Sequence, residues 1–146
     1  MTAPVINAVI DRLSDVVEPL HQRVADVADL ARMMAANILP KVTPAAWVVP
    51  IGEDAEPAEH TTGGLRQRVA ETVGIILVHS VAGDSTGAKA RAVIDGCADL
   101  VKTGLIGWEP VPGIDPFEFR RARLVGAQNG AVFLQIDVLT RWYLRA

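Results

Sequence analysis

With a single cysteine, Cys97, in 146 residues, the chain cannot form an internal disulfide, which suits folding in a reducing cytoplasm. The apolar neighbours of Cys97 predict a buried, inert thiol. Aromatic residues are also scarce at 5%, so the core must be built mainly from Val, Leu, Ile and Ala. Charged residues make up only 21%, a composition that mildly favours assembly over an isolated monomer. The formal net charge of −3 argues against a protein that grips nucleic acid by neutralising phosphates. Long apolar runs are missing too. The longest, Val73 to Val78, contains Gly74 and falls far short of the ~20 residues of a transmembrane helix, so no membrane partner is expected. The N-terminal stretch MTAPVINAVIDRL carries Asp11 and Arg12 within its apolar pattern and has no basic leader, which argues against a signal peptide.

Catalytic apparatus is equally sparse. His21, His60 and His79 show no metal-ligand spacing and have no cysteine pair beside them. His79 and Ser80 are adjacent in a strand-like run, so they point to opposite faces and cannot form a nucleophile and base dyad. A satisfied core histidine is the simpler reading. The segment GDSTGAK, Gly83 to Lys89, follows a strand and opens a helix, yet its glycines are four apart instead of five and no Ser or Thr follows Lys89. It reads as a capped turn, with Asp84 or Ser85 as cap. No G-x-S-x-G elbow exists. The expectation is therefore no enzyme, with no catalytic, cofactor-binding or metal-binding residues.

What the chain does have is strand. Phe117 to Leu144 reads as two long arms joined at Asn129-Gly130, the strongest short-range hairpin signal. In the second arm Val132, Leu134, Ile136, Val138, Trp142 and Leu144 share one parity, so one face is nearly all apolar and must be covered. Fully extended, that arm would span about 45 Å at roughly 3.3 Å per residue, well over twice the usual strand. A two-residue turn pairs Glu118 with Arg141, but it also sets Arg121 and Arg123 opposite Val138 and Ile136 on the apolar face. A bulge near Gly126 resolves the conflict, and so does a neighbouring subunit that supplies carboxylates to these arginines; we favour the second.

Elsewhere, Ile6, Val9, Ile10, Leu13, Val16 and Val17 recur at helical spacing, with Thr2 as cap, Pro4 in the first turn and Pro19 as stop. His21 to Val24 reads as a short strand. Asp26 caps a second helix with Val27, Leu30, Ala31 and Met34 inward. AAWVVPI is a proline-bounded strand confined to an edge or to short pairings. The stretch Gly52 to Gly64 is acidic and reads as an exposed loop. Leu65 to Gly83 is another long strand, buried on both faces in its second half and projecting past the core in its first, Arg66 to Glu71. A third helix buries Ala90, Val93, Ile94, Cys97 and Val101, and Gly104 and Gly107 end it. One domain over residues 1–146 is expected.

The one charge feature above background is a set of arginines, Arg66, Arg68, Arg120, Arg121, Arg123, Arg141 and Arg145. Solvated strand faces account for most such runs, subunit salt bridges come next, and nucleic acid last. Phe117 and Phe119, interleaved with them, resemble stacking platforms for single strands, but the acidic total weighs against that use.

The succession LPKVTPAAWVVPIG, TTGGLRQRV and ETVGIILVHSVAGDSTGAKA, followed by the long hairpin, resembles the tail terminator proteins of long-tailed bacteriophages and prophages over nearly the whole chain. The resemblance implies an α+β subunit with a mainly antiparallel or mixed sheet, a long C-terminal β-hairpin and two to three flanking helices. It also implies a homo-oligomeric ring, usually a hexamer, that sits on the tail tube protein, halts tube polymerisation and offers a face to the head-tail connector protein. DNA would pass through without specific binding, and the protein, made in the host cytoplasm, would reside in the virion tail. Our own reading supplies the interface candidates: Arg66, Arg68 and Glu71 on the outlying half-strand, the loop Gly52 to Gly64, and Arg120, Arg121, Arg123 and Arg141 on the ribbon. Another tail or neck component, such as a head-tail joining protein, is the alternative, followed by a nucleic-acid-binding module.

Overall fold

A computed structural model describes residues 1–128 and 130–146. Among them run three α-helices, α1 (Thr2–Val16), α2 (Val27–Ala36) and α3 (Ala88–Leu105), with a 3-10 turn at Glu18–Leu20. The strands are β1 (Val24–Asp26), β2 (Ala45–Ala55), β3 (Glu59–Thr61), β4 (Gly64–Ser80), β5 (Glu118–Gln128) and β6 (Ala131–Arg145). They form one mixed six-stranded sheet in the order β1-β2-β4-β6-β5, with β3 added beside the start of β4. Among these strands β1–β2 is the one parallel pairing, and an isolated parallel bridge joins Ile106 to Phe117. The α+β class and the C-terminal hairpin expected from the sequence are both present.

Alternation along the strands divides the core in two. Val48, Val73, Ile75, Leu77, Leu134, Ile136 and Val138 face α1 and α3 and form the main core with Val5, Val9, Leu13, Ile94, Val101 and Leu105. Trp47, Val49 and Val78 face the other way, where Leu30 and Met33 of α2 cover them. The second half of β4 is thus buried on both faces, as its apolar run requires.

Several local expectations shift. Helix α1 buries Ile6, Val9 and Leu13 as patterned, but it also buries Val5 and leaves Val16 exposed, and Thr2 is not its cap: its hydroxyl donates to Glu53 Oε1 at 2.8 Å instead. His21 lies in a turn, and the strand begins only at Val24. Asp26 caps α2 as expected, accepting from Asp29 N at 3.1 Å, but the inward residues are Leu30 and Met33, whereas Val27, Ala31 and Met34 are exposed. Helix α3 leaves Val93 outside and buries Ala98 and Leu105. Its N-cap position is Gly87, and Asp84, four residues before the helix, accepts from Ala90 N at 3.0 Å. Gly104 lies inside that helix, where a Cβ would come within 2.9 Å of Val16.

The acidic stretch Gly52 to Gly64 is exposed, yet it is largely strand and not loop: it completes β2 and forms β3 against β4. Pairing on the outer side of β2 covers Ala46 to Val48 and stops before Pro50. This is the short edge pairing that a proline permits. The β5–β6 pairing reaches Gln128↔Ala131, and Gly130 has φ +77°. Asn129, the other half of the expected Asn-Gly turn, lies outside the described residues.

Candidate subunit interface

The hairpin register reverses our sequence preference. Gln128↔Ala131 starts the ladder as a two-residue turn requires, but Val125 bulges out, and Leu124 pairs with Leu134. A one-residue shift flips every following side chain. Arg123 therefore lies opposite Gln135 and Arg121 opposite Asp137, on the face away from α1 and α3. A second bulge at Arg120 flips the strand back, so Phe119 again opposes Val138. The bulge beside Gly126, and not a neighbouring subunit, removes the arginines from the apolar face.

Asp137, 1% exposed, accepts from Arg121 Nε at 2.7 Å and from Gln135 Nε2 at 2.8 Å. A buried carboxylate in a hydrophobic sheet needs such donors. The fold then gathers the remaining arginines on the same face. Arg66, Arg68 and Ala70 of β4 oppose Arg145, Tyr143 and Arg141 of β6, at the same parity as Gly74↔Asp137. Arg120 donates to Thr72 Oγ1 at 3.1 Å, again on that face. Residues scattered over 80 positions of sequence become one surface.

Most of these cations have partners within the subunit. Arg66 pairs with Glu59 at 3.0 Å and stacks over Tyr143 at 4.3 Å; Arg68 pairs with Asp115 at 2.9 Å and Arg141 with Glu118 at 2.9 Å. These are exposed pairs that add little stability. Arg123 makes no ion pair or side-chain hydrogen bond among the described residues. Glu71 departs from the expected set: it is 2% exposed, facing α1 beside Glu53, so it offers nothing to a partner's surface. Burial raises its pKa above the ordinary value; Thr2 and the N-terminal amine oppose the shift, and the Glu53 carboxylate adds to it. Neither Glu71 oxygen has a hydrogen-bond partner among the described residues.

Two apolar surfaces escaped the sequence reading. Strand β5 is exposed on both faces, and the helix layer leaves Phe119 (46% exposed) and Leu124 (49%) largely open, although Lys102 of α3 lies 5.0 Å from the centre of the Phe119 ring. On the opposite face, a groove of about 560 Å³ lies between the end of α2 and the hairpin, lined by Met33, Met34, Ile38, Leu39, Val125 and Phe133 among others. Its signal in the sequence is the apolar pair Ile38 and Leu39, set between Asn37 and Pro40 outside any helical or strand pattern.

Cys97 is buried, and desolvation pushes its thiol up to about 11. No cluster of His, Cys, Asp and Glu suited to a metal occurs among the described residues. None of their helices is long and apolar enough to cross a membrane.

Comparison with known proteins adds three findings. A family model described as "Phage tail terminator protein" matches residues 3–145. Among solved structures, a chain from the virion of a native gene transfer agent particle superposes with a TM-score of 0.61 at 16% identity, over 100% of both chains, which is a likeness of fold. A search of curated protein sequences gives no match.

Proposed function

The chain belongs to the phage tail terminator family, and from that premise we propose that it forms a ring, a hexamer, that caps the tail tube, stops its polymerisation and presents the surface on which the head connector docks. Its work is contact and closure, without catalysis, metal or cofactor. Residues 1–146 act as one domain, in keeping with a family match that runs almost from end to end. The protein is made in the host cytoplasm and ends in the virion tail.

The observation that carries this reading is an excess of sheet. Strand β4 runs 17 residues and β6 runs 15, but the last buried apolar residues on the arm side are Val69 and Val138. The outlying halves, with β3 and the end of β2, form an arm held mainly by backbone pairing and exposed ion pairs. Isolated sheet of this kind is marginal in water, and family membership supplies what it is for. A nucleic-acid module is disfavoured because most of the arginines are already neutralised by carboxylates of the same subunit and the whole chain is acidic. DNA passing through such a ring meets no tight site.

The test is light-scattering mass and negative-stain imaging of the protein alone and with tail tube subunits. Six-membered rings, and tubes that stop growing when it is added, are the expected result. A monomer that leaves tube length unchanged overturns the proposal.

A further inference from the structure

The two free edges of the sheet carry opposite charge. On one side, β2 has no outward partner beyond Val48 among the described residues, and its exposed end bears Glu53 and Asp54, followed by Glu56. On the other side, β5 has no outer neighbour among the described residues and bears Arg120, Arg121 and Arg123. Each edge also contains a regular stretch beside its bulge: Gly52 to Ala55 on β2 and Arg121 to Leu124 on β5.

Resting on the ring reading above, we infer that these edges meet between copies: the outer edge of β2 in one subunit pairs with β5 of the next, so that the sheets of the ring run on as one wall. Three features fit. First, β2, β4, β6 and β5 alternate in direction. Rotation about an axis along the strands preserves direction, so a second copy brings β2 antiparallel to β5, and repetition closes head to tail. Second, side-chain parity allows only certain partners. Asp54 pairs with Ala70 of β4 and thus shares the arginine face, whereas Ala122 points to the helix face. Asp54 can therefore oppose Arg121 or Arg123 across the seam, and in either register the other arginine is its diagonal neighbour. Arg121 is already engaged by Asp137, which leaves Arg123 as the free cation for it among the described residues. Third, α1 lies over β2, anchored by Thr2 to Glu53. Its exposed start, Met1, Ala3 and Pro4, would overhang the seam on the face where Phe119 and Leu124 are half exposed.

Such a contact explains why an edge strand with apolar residues on one face is left uncapped by its own helices. Arginines and bulges guard this edge against indiscriminate pairing, while an acidic edge is the partner they admit.

The test combines charge exchange with hydrogen exchange on the full chain. Arg123→Glu and Asp54→Lys each reverse a charge at an exposed site and should weaken ring formation about tenfold or more by like-charge opposition. The double variant should assemble within about threefold of the natural chain, because the pair is restored with its sign inverted. Backbone amides in Val49 to Ala55 and in β5 should exchange more slowly in the ring than in the monomer. A ring that forms without protection of these segments, or single reversals that the double variant does not rescue, overturns the edge pairing and leaves the ring itself standing. Failure of the natural chain to assemble, even with tube subunits, overturns both.

Discussion

The two halves of β4 set the terms of this molecule. From Val73 to Val78 the strand is buried between helical layers, with Val73, Ile75, Leu77 and Val78 fully enclosed. From Arg66 to Arg68 the same strand is flanked by the same neighbour, β6, yet one face carries Arg66 and Arg68, paired with Glu59 and Asp115 near the surface. Backbone pairing is continuous across both halves, so the ladder is not what distinguishes them. The difference is whether a helix lies on top. One half stabilises the subunit, and the other is the half that the proposed ring would use.

Truncation in the enclosed half should sharpen this contrast most. Ile75→Ala, in the main core of β4, should cost about 2–5 kcal/mol in a denaturant titration, the usual cost of emptying a core site. Arg66→Ala in the arm should cost less than about 1 kcal/mol. Equal losses would mean that the arm is part of the folding core.

Arg121→Glu comes next and shows where the division is not clean. Arg121 lies among the interface candidates, but it serves the buried Asp137. Reversal sets two carboxylates together and should destabilise the subunit by about 2 kcal/mol, less than for a fully enclosed pair because Arg121 is half exposed. Arg123→Glu should leave the melting temperature within a degree or two and affect assembly alone. If Arg121→Glu melts like Arg123→Glu, Asp137 does not depend on it.

The smallest effect is expected at Glu71. Its folded-state pKa is raised, so the folded chain holds this proton more tightly than the unfolded chain does. The contribution is favourable below the ordinary glutamate value of 4.5 and is lost as pH rises through the folded pKa. Glu71→Gln should therefore raise the melting temperature at pH 7 and lose that advantage below about pH 4.5. An advantage that is the same at both pH values would show that the carboxyl is not buried as described.

Much of the fold was legible because it is written in periodicity. The stripe of α1, the doubly buried run in β4, the Asp26 cap and the hairpin follow from spacing and turn chemistry that act over a few residues. The site was legible only as a set of residue names. Local pattern cannot show that Glu71 faces inward beneath α1, because alternation gives parity and not which face a helix will cover. Nor does Met34, 72% exposed, announce that Met33 is the one that packs, since the two adjacent methionines differ only by helical phase.

By itself, the sequence determined that there would be more strand than one core needs, a buried thiol, arginines in two distant segments, and a family likeness spanning the chain. Tertiary structure decided what those arginines mean. Two single-residue bulges, at Arg120 and Val125, turn Arg121 and Arg123 from the apolar face to the charged one and back again within a few residues. Since strand alternation has a period of two, one extra residue reverses every side chain beyond it. The position of that residue is set by how β5 bends against β6 and the layers behind it, which is a property of the packed sheet.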